Sequence, residues 1–202
     1  FESSVTWVKP MGKMEVTVQK EFVSVPKGIG IVVGCSTFPL WNSLPGMFAN
    51  LITGNTTIAK THPLAVLPMA IFVHSAQETS VSMGVDPHIL QIVVDSKDQP
   101  KTIELCSHPD VNIIDYTGST KFGNVLEEIA QKNKKIIFTE KAGVNSVLID
   151  SVASIESVAD NLAFSISLYS GQMCTAPQIM FIQQYGLQTS EGSLSIEEVA
   201  DT

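Results

Sequence analysis

The stretch Val111-Asn112-Ile113-Ile114-Asp115-Tyr116-Thr117-Gly118-Ser119-Thr120 passes from an apolar, β-branched run into a cluster of hydroxylated residues and glycine. Residues 111–116 read as a buried strand and residues 117–120 as a turn. Phe122, Val125, Leu126 and Ile129 then recur at i, i+3, i+4 and i+7, which marks one face of a helix. In a strand, turn and helix of this kind, the N–H groups and hydroxyls at the helix start face a pyrophosphate. The same turn also serves as a plain Ser/Thr helix cap, and the two readings are compatible.

Working outward, the alternation repeats. Residues 30–33, 56–59 and 89–94 read as strands. Helices are expected around 47–52, ending at Gly54, over 68–80 with Pro68 tolerated in the first turn, and over 101–107. Downstream, 135–139 and 146–149 are further strands, and Ile155, Val158, Ala159, Leu162 and Ile166 line another amphipathic helix. Strands alternating with helices predict an α/β fold, a doubly wound parallel sheet of Rossmann-like type with ligands at the strand C-termini. Gly28-Ile29-Gly30 precedes its strand, so it is not a dinucleotide fingerprint, which must follow one. Residues 14–25 alternate and carry β-branched side chains, an exposed strand whose edge invites a neighbour. The expected organisation is β-rich lead-in strands over 1–26, a dinucleotide-binding domain over 27–150, and the start of a catalytic domain over 151–202.

The net charge of −8 argues against a nucleic-acid partner. Charged residues are 16%, below the ~25% of an average domain, which fits a surface partly covered by another domain or subunit. There is no arginine, so a bound anion must be held by backbone N–H groups, Lys, His or hydroxyls. Cys35, Cys106 and Cys174 form neither a disulfide framework nor a zinc site, so no metal is expected and a reducing, cytoplasmic compartment is. No apolar stretch reaches the ~18 residues of a membrane span. Ser195-Ile196-Glu197-Glu198 is a capping-box sequence whose helix would stop after under two turns at Thr202, so the chain is expected to be an internal fragment of a longer protein.

Chemistry concentrates at Glu140, in Phe138-Thr139-Glu140-Lys141-Ala142-Gly143, and at Cys174, in Ser170-Gly171-Gln172-Met173-Cys174, 34 residues further on. A free Cys usually only fills space, but its thiolate is a strong nucleophile, and a carboxylate can take its proton or activate water. With Phe38-Pro39-Leu40, Gly54-Asn55-Thr56, Ile58-Ala59-Lys60 and Thr117-Gly118-Ser119-Thr120, these segments resemble the aldehyde dehydrogenase superfamily in order and near-spacing over residues 14–185. Gly-Cys-Ser-Thr-Phe-Pro-Leu-Trp-Asn and Phe-Thr-Glu-Lys-Ala-Gly-Val-Asn-Ser are most similar to its PaaN type, from phenylacetic acid degradation.

The resemblance implies an NAD(P)-dependent enzyme that oxidises an aldehyde to an acid and assembles as a homo-oligomer. Cys174 would be the nucleophile, Glu140 the base for water, and Thr37 would stand where the family has an oxyanion-stabilising Asn. Asn42 is the competing placement. Lys60, with Thr61 and His62, would face the adenosine end of the cofactor, and Gly118 and Ser119 its pyrophosphate. The glutamate that binds ribose hydroxyls in the family is replaced by Pro63; a glutamate would repel a 2′-phosphate, so NADP, or both NADP and NAD, is expected. The alternatives are a CoA-acylating dehydrogenase, which Glu140 weighs against, or a non-catalytic dinucleotide-binding or assembly module. The resemblance places the rest of the site beyond Thr202, so this chain by itself is expected to be inactive.

Overall fold

The computed structural model describes residues 3–202. β1 (Ser4–Met11) and β2 (Met14–Glu21) form an antiparallel ribbon turned at Gly12, whose φ of +65° suits glycine. Directly opposite residues share a face. Val5, Trp7, Met11, Met14, Val16 and Val18 therefore line one side together with Lys9 and Lys20, and Ser4, Thr6, Val8, Pro10, Glu15, Thr17, Gln19 and Glu21 the other. β2 stops at Glu21, short of residue 25, with Ser4 opposite Glu21 and the Phe22 N–H donating to Ser3 O.

β3 (Ile29–Val33), β4 (Thr56–Lys60), β5 (Leu90–Val93), β6 (Val111–Gly118) and β7 (Ile136–Lys141) form one sheet in the order β5-β4-β3-β6-β7. β3 pairs in parallel with β4 and β6, and β4 with β5. The chain winds outward from β3 to one side, then returns to the other, so the doubly wound reading holds and the switch point lies between β3 and β6. Strand alternation splits the core. Ile31 and Val33 pack with Ile114, Tyr116, Leu126 and Ala130 under α3 (Thr102–Ser107) and α4 (Thr120–Asn133). Val32 and Ala59 pack with Met47, Met69 and Val73 under α1 (Leu44–Ile52) and α2 (Val66–Ser82).

Two local signals resolve differently from their sequence appearance. The turn expected over 117–120 is mostly strand: β6 runs to Gly118 and Ser119 alone precedes α4. β6 lies between β3 and β7, and ladder pairing overrides the turn preference of Thr and Gly. Gly30 serves packing, since a Cβ there would overlap the side chain of buried Asn50 on α1. Asn55, from the Gly-Asn-Thr motif, is also a fastener: its Oδ1 accepts the Lys27 and Gly28 N–H groups at 2.5 and 3.0 Å and so sets where β3 begins.

The chain divides into two compact units, one running to Thr117 and resuming over Lys121–Thr139, the other comprising Gly118–Thr120 and Glu140–Thr202. In the second, β8 (Ser146–Ile149) pairs in parallel with β9 (Ile179–Ile182), and β10 (Leu187–Thr189) is antiparallel to β11 (Gly192–Leu194). With α5 (Ile155–Ser167) and α6 (Ile196–Ala200) they enclose Ile149, Ile155 and Leu187. The capping box is fully formed: the Glu198 N–H donates to Ser195 Oγ, and the Ser195 N–H to Glu198 Oε2. Among the described residues no helix is long and apolar enough to cross a membrane.

Candidate active site

Cys174 is exposed, at the second position of a turn closed by the Ala176 N–H on Met173 O at 3.2 Å. The chain enters that turn from α5 through Tyr169, Ser170 and Gly171, with φ of +50°, +57° and +72°. Left-handed backbone costs about 1–2 kcal/mol at each non-glycine residue, so this approach is locally strained. Asn145 holds the turn in place. Its Nδ2 donates to Cys174 O at 2.6 Å and to Ala176 O at 3.0 Å, while its own carbonyl accepts the Gln178 and Ile179 N–H groups at 2.9 and 3.3 Å. Nothing in the sequence singles out Asn145, because an Asn just ahead of a strand reads as an ordinary loop residue.

Glu140 projects from the end of β7 on the same exposed face as Ile136 and Phe138. It lies in the same unit as Cys174. The connection from Glu140 to the cysteine turn is fastened twice: the Thr120 hydroxyl donates to Ala142 O at 3.4 Å, and Asn145 clamps the turn itself. Gly118 ends β6 and Ser119 leads into α4, also in this unit. The first turn of α4 has no acidic residue, and its leading N–H groups have no partner within the helix, so it offers an anion the positive end of the helix dipole. Thr37, Lys60, Thr61 and His62 belong to the other unit.

In that other unit the loop after β3 gathers donors around a second thiol. Asn42 Nδ2 donates to Cys35 Sγ at 3.0 Å, and Thr37 Oγ1 lies 3.5 Å from the same sulfur. Burial alone would raise the Cys35 thiol, but the Thr37 hydroxyl, the Phe38 N–H, the Asn42 amide and the Thr37 N–H together draw it below its ordinary value. Thr37 is exposed and Asn42 half-buried, and both side chains lie against the Cys35 sulfur. Cys106 is the opposite case: burial pushes its thiol up to about 12, which makes it inert.

Lys60 ends β4, level with Val33 of β3 and Val93 of β5. It is buried, and its Nζ donates to Thr61 O at 2.6 Å and pairs with Asp95 Oδ1 at 2.8 Å. Burial would raise the Asp95 carboxyl, but the Lys101 N–H and the Lys60 ammonium hold it below the usual value. Beside them Thr61 Oγ1 is buried without a hydrogen-bond partner, a state costing about 1–3 kcal/mol. An unpartnered hydroxyl next to a lysine at the C-terminal end of a parallel strand fits the sugar–phosphate part of a dinucleotide. His62 Nδ1 accepts the Leu64 N–H at 3.2 Å.

Comparison with known proteins agrees with this geometry. The profile of the aldehyde dehydrogenase family matches residues 6–189. The chain is 44% identical to an NAD-dependent aldehyde dehydrogenase from Burkholderia multivorans, whose crystal structure superposes with a TM-score of 0.82 over 99% of this chain and 36% of that one. It is 31% identical to a 1-pyrroline-5-carboxylate dehydrogenase of Bacillus subtilis (strain 168) over 78% of this chain and 31% of the relative. A succinic semialdehyde dehydrogenase from Streptococcus pyogenes, solved in complex with NADP+, shares the fold at 22% identity with a TM-score of 0.65, over 88% of this chain and 37% of that one. The chain thus spans about a third of the length of these proteins.

Proposed function

The chain belongs to the aldehyde dehydrogenase family, whose members use NAD or NADP, and we propose that it carries the nucleophile, the base and the adenosine-end contacts of an enzyme oxidising an aldehyde to a carboxylic acid. The Asn145 clamp carries the reading: it fixes the turn bearing Cys174 to the segment that begins at Glu140. The Cys174 thiolate adds to the carbonyl carbon, forming a C–S bond and an oxyanion that the Cys174 N–H stabilises. When bound, the nicotinamide accepts the hydride that leaves this carbon. The Cys174 thioester remains. Glu140 takes a proton from water, whose oxygen attacks the thioester carbon; the C–S bond breaks, and acid and thiolate are released. Lys60, Thr61 and His62 hold the adenosine end, and Gly118 and Ser119 the pyrophosphate.

The PaaN-like segments support aryl aldehydes, such as those of phenylacetate breakdown, as the proposed substrate class. We assign a homo-oligomer in which a second copy covers the apolar face of the β1–β2 ribbon, where Trp7 is 43% and Met14 67% exposed. Three unpaired thiols suit a reducing compartment such as the cytoplasm. The test uses the full-length enzyme with a panel of aryl and aliphatic aldehydes. Cys174→Ala should abolish turnover, and Glu140→Gln should give one burst of reduced dinucleotide, about one equivalent per site, followed by slow release. Full turnover by Cys174→Ala would overturn the reading, and a product that is acyl-CoA only when CoA is supplied would redirect it to the acylating class.

A further inference from the structure

We propose that Asp95 sets the dinucleotide preference: by holding the Lys60 ammonium in a buried ion pair, it withholds that charge from a 2′-phosphate and so favours NAD over NADP. This rests on the reading that Lys60 lies at the adenosine end of the cofactor. The pair is close and dry, with Nζ and Oδ1 2.8 Å apart and side chains 4% and 3% exposed. Asp95 is fixed from a second direction, because Oδ2 accepts the Lys101 N–H at 2.8 Å where α3 begins. Lysine and carboxylate therefore present no net charge at the end of β4.

The neighbouring cations do not replace that charge. His62 Nδ1 accepts the Leu64 N–H at 3.2 Å, which commits that ring nitrogen to the backbone of its own loop. Lys101 Nζ is paired with Glu104 at 2.8 Å on the exposed start of α3. Lys97, two residues beyond Asp95, is exposed, where water and salt screen its charge. The chain contains no arginine to clamp a phosphate in two places. A 2′-phosphate brought here would meet a pair without net charge, its lysine already balanced by Asp95, whereas a 2′-hydroxyl needs no cation. Pro63 removes the family's acidic discriminator from its usual strand, and Asp95 supplies a carboxylate from the neighbouring one.

Binding by the full-length enzyme, measured calorimetrically for NAD and NADP, tests this without turnover. The wild type should bind NAD more tightly. Asp95→Asn keeps the side chain's size but removes its charge, and should shift the NADP/NAD affinity ratio toward NADP by about tenfold, equivalent to ~1.4 kcal/mol. Asp95→Ser provides a second arm should Asp95→Asn fail to fold: it also removes the carboxylate and should shift the ratio in the same direction. Tighter NADP than NAD binding by the wild type, or an unchanged ratio in the folded Asp95 variant, would each overturn the assignment. If the wild type binds neither dinucleotide, the placement of the cofactor fails and this inference with it. NAD binding with an unchanged ratio would sink Asp95 alone.

Discussion

Asn145 spans two carbonyls with one amide, and its position explains how an exposed cysteine is held still. A turn that begins in left-handed backbone at Tyr169 and Ser170 has a ready route to relax, and the hydrogen bonds from Nδ2 to Cys174 O and Ala176 O oppose it. Asn145→Ala should therefore lower kcat of the full-length enzyme by on the order of 10–100-fold with little change in KM, since misplacing a reacting atom by about 1 Å costs that much. The rate of iodoacetamide labelling at Cys174 should change in parallel, which a merely destabilised fold would not produce at temperatures well below melting. An unaltered kcat would show that the turn holds its shape unaided. Cys174 and Glu140 stood out in the sequence because the chemistry proposed for them demands particular residue types. Asn145 was not: its contribution depends on two carbonyls 29 and 31 residues away, and loop composition carries no trace of them.

The strands and helices were legible for a different reason: apolar periodicity records which face each element buries. Ile31 and Val33 against Val32 is a period of two made visible; on α4, Leu126 is buried and Phe122 and Ile129 pack against the same cluster, while Val125, expected on that face, stays exposed at its edge. Element ends were less legible, because they depend on partners. β6 runs through Thr117 and Gly118, which by themselves favour a turn. Pairing register also revealed what sequence had shown only as alternation, an apolar ribbon face bearing Val5, Trp7, Met11, Met14, Val16 and Val18. If a second copy covers that face, Trp7→Asp combined with Val16→Asp should lower the mass of the full-length protein in light scattering toward that of the monomer. A wild-type monomer, or an oligomer untouched by both charges, would remove the ribbon from the assembly.

At the scale of the whole molecule, the chain divides its chemistry between two units: Cys174, Glu140, Gly118 and Ser119 in one, Thr37, Lys60, Thr61 and His62 in the other. Each unit is organised by its own means, the first by the parallel sheet that carries Lys60 at a strand end and the second by the Asn145 clamp on the turn that carries Cys174. The doubly wound sheet was readable from alternation alone. The Lys60–Asp95 pair was not, because it joins the ends of β4 and β5 through a contact 35 residues apart in the chain. The central claim is that Cys174 carries the acyl group and Glu140 releases it. Its most direct test is peptide mass spectrometry of the full-length Glu140→Gln protein, quenched after mixing with dinucleotide and an aldehyde that the wild type oxidises. The account predicts one acyl group per chain, on the peptide containing Cys174; an unmodified Cys174, or acylation at Cys35 instead, would contradict it.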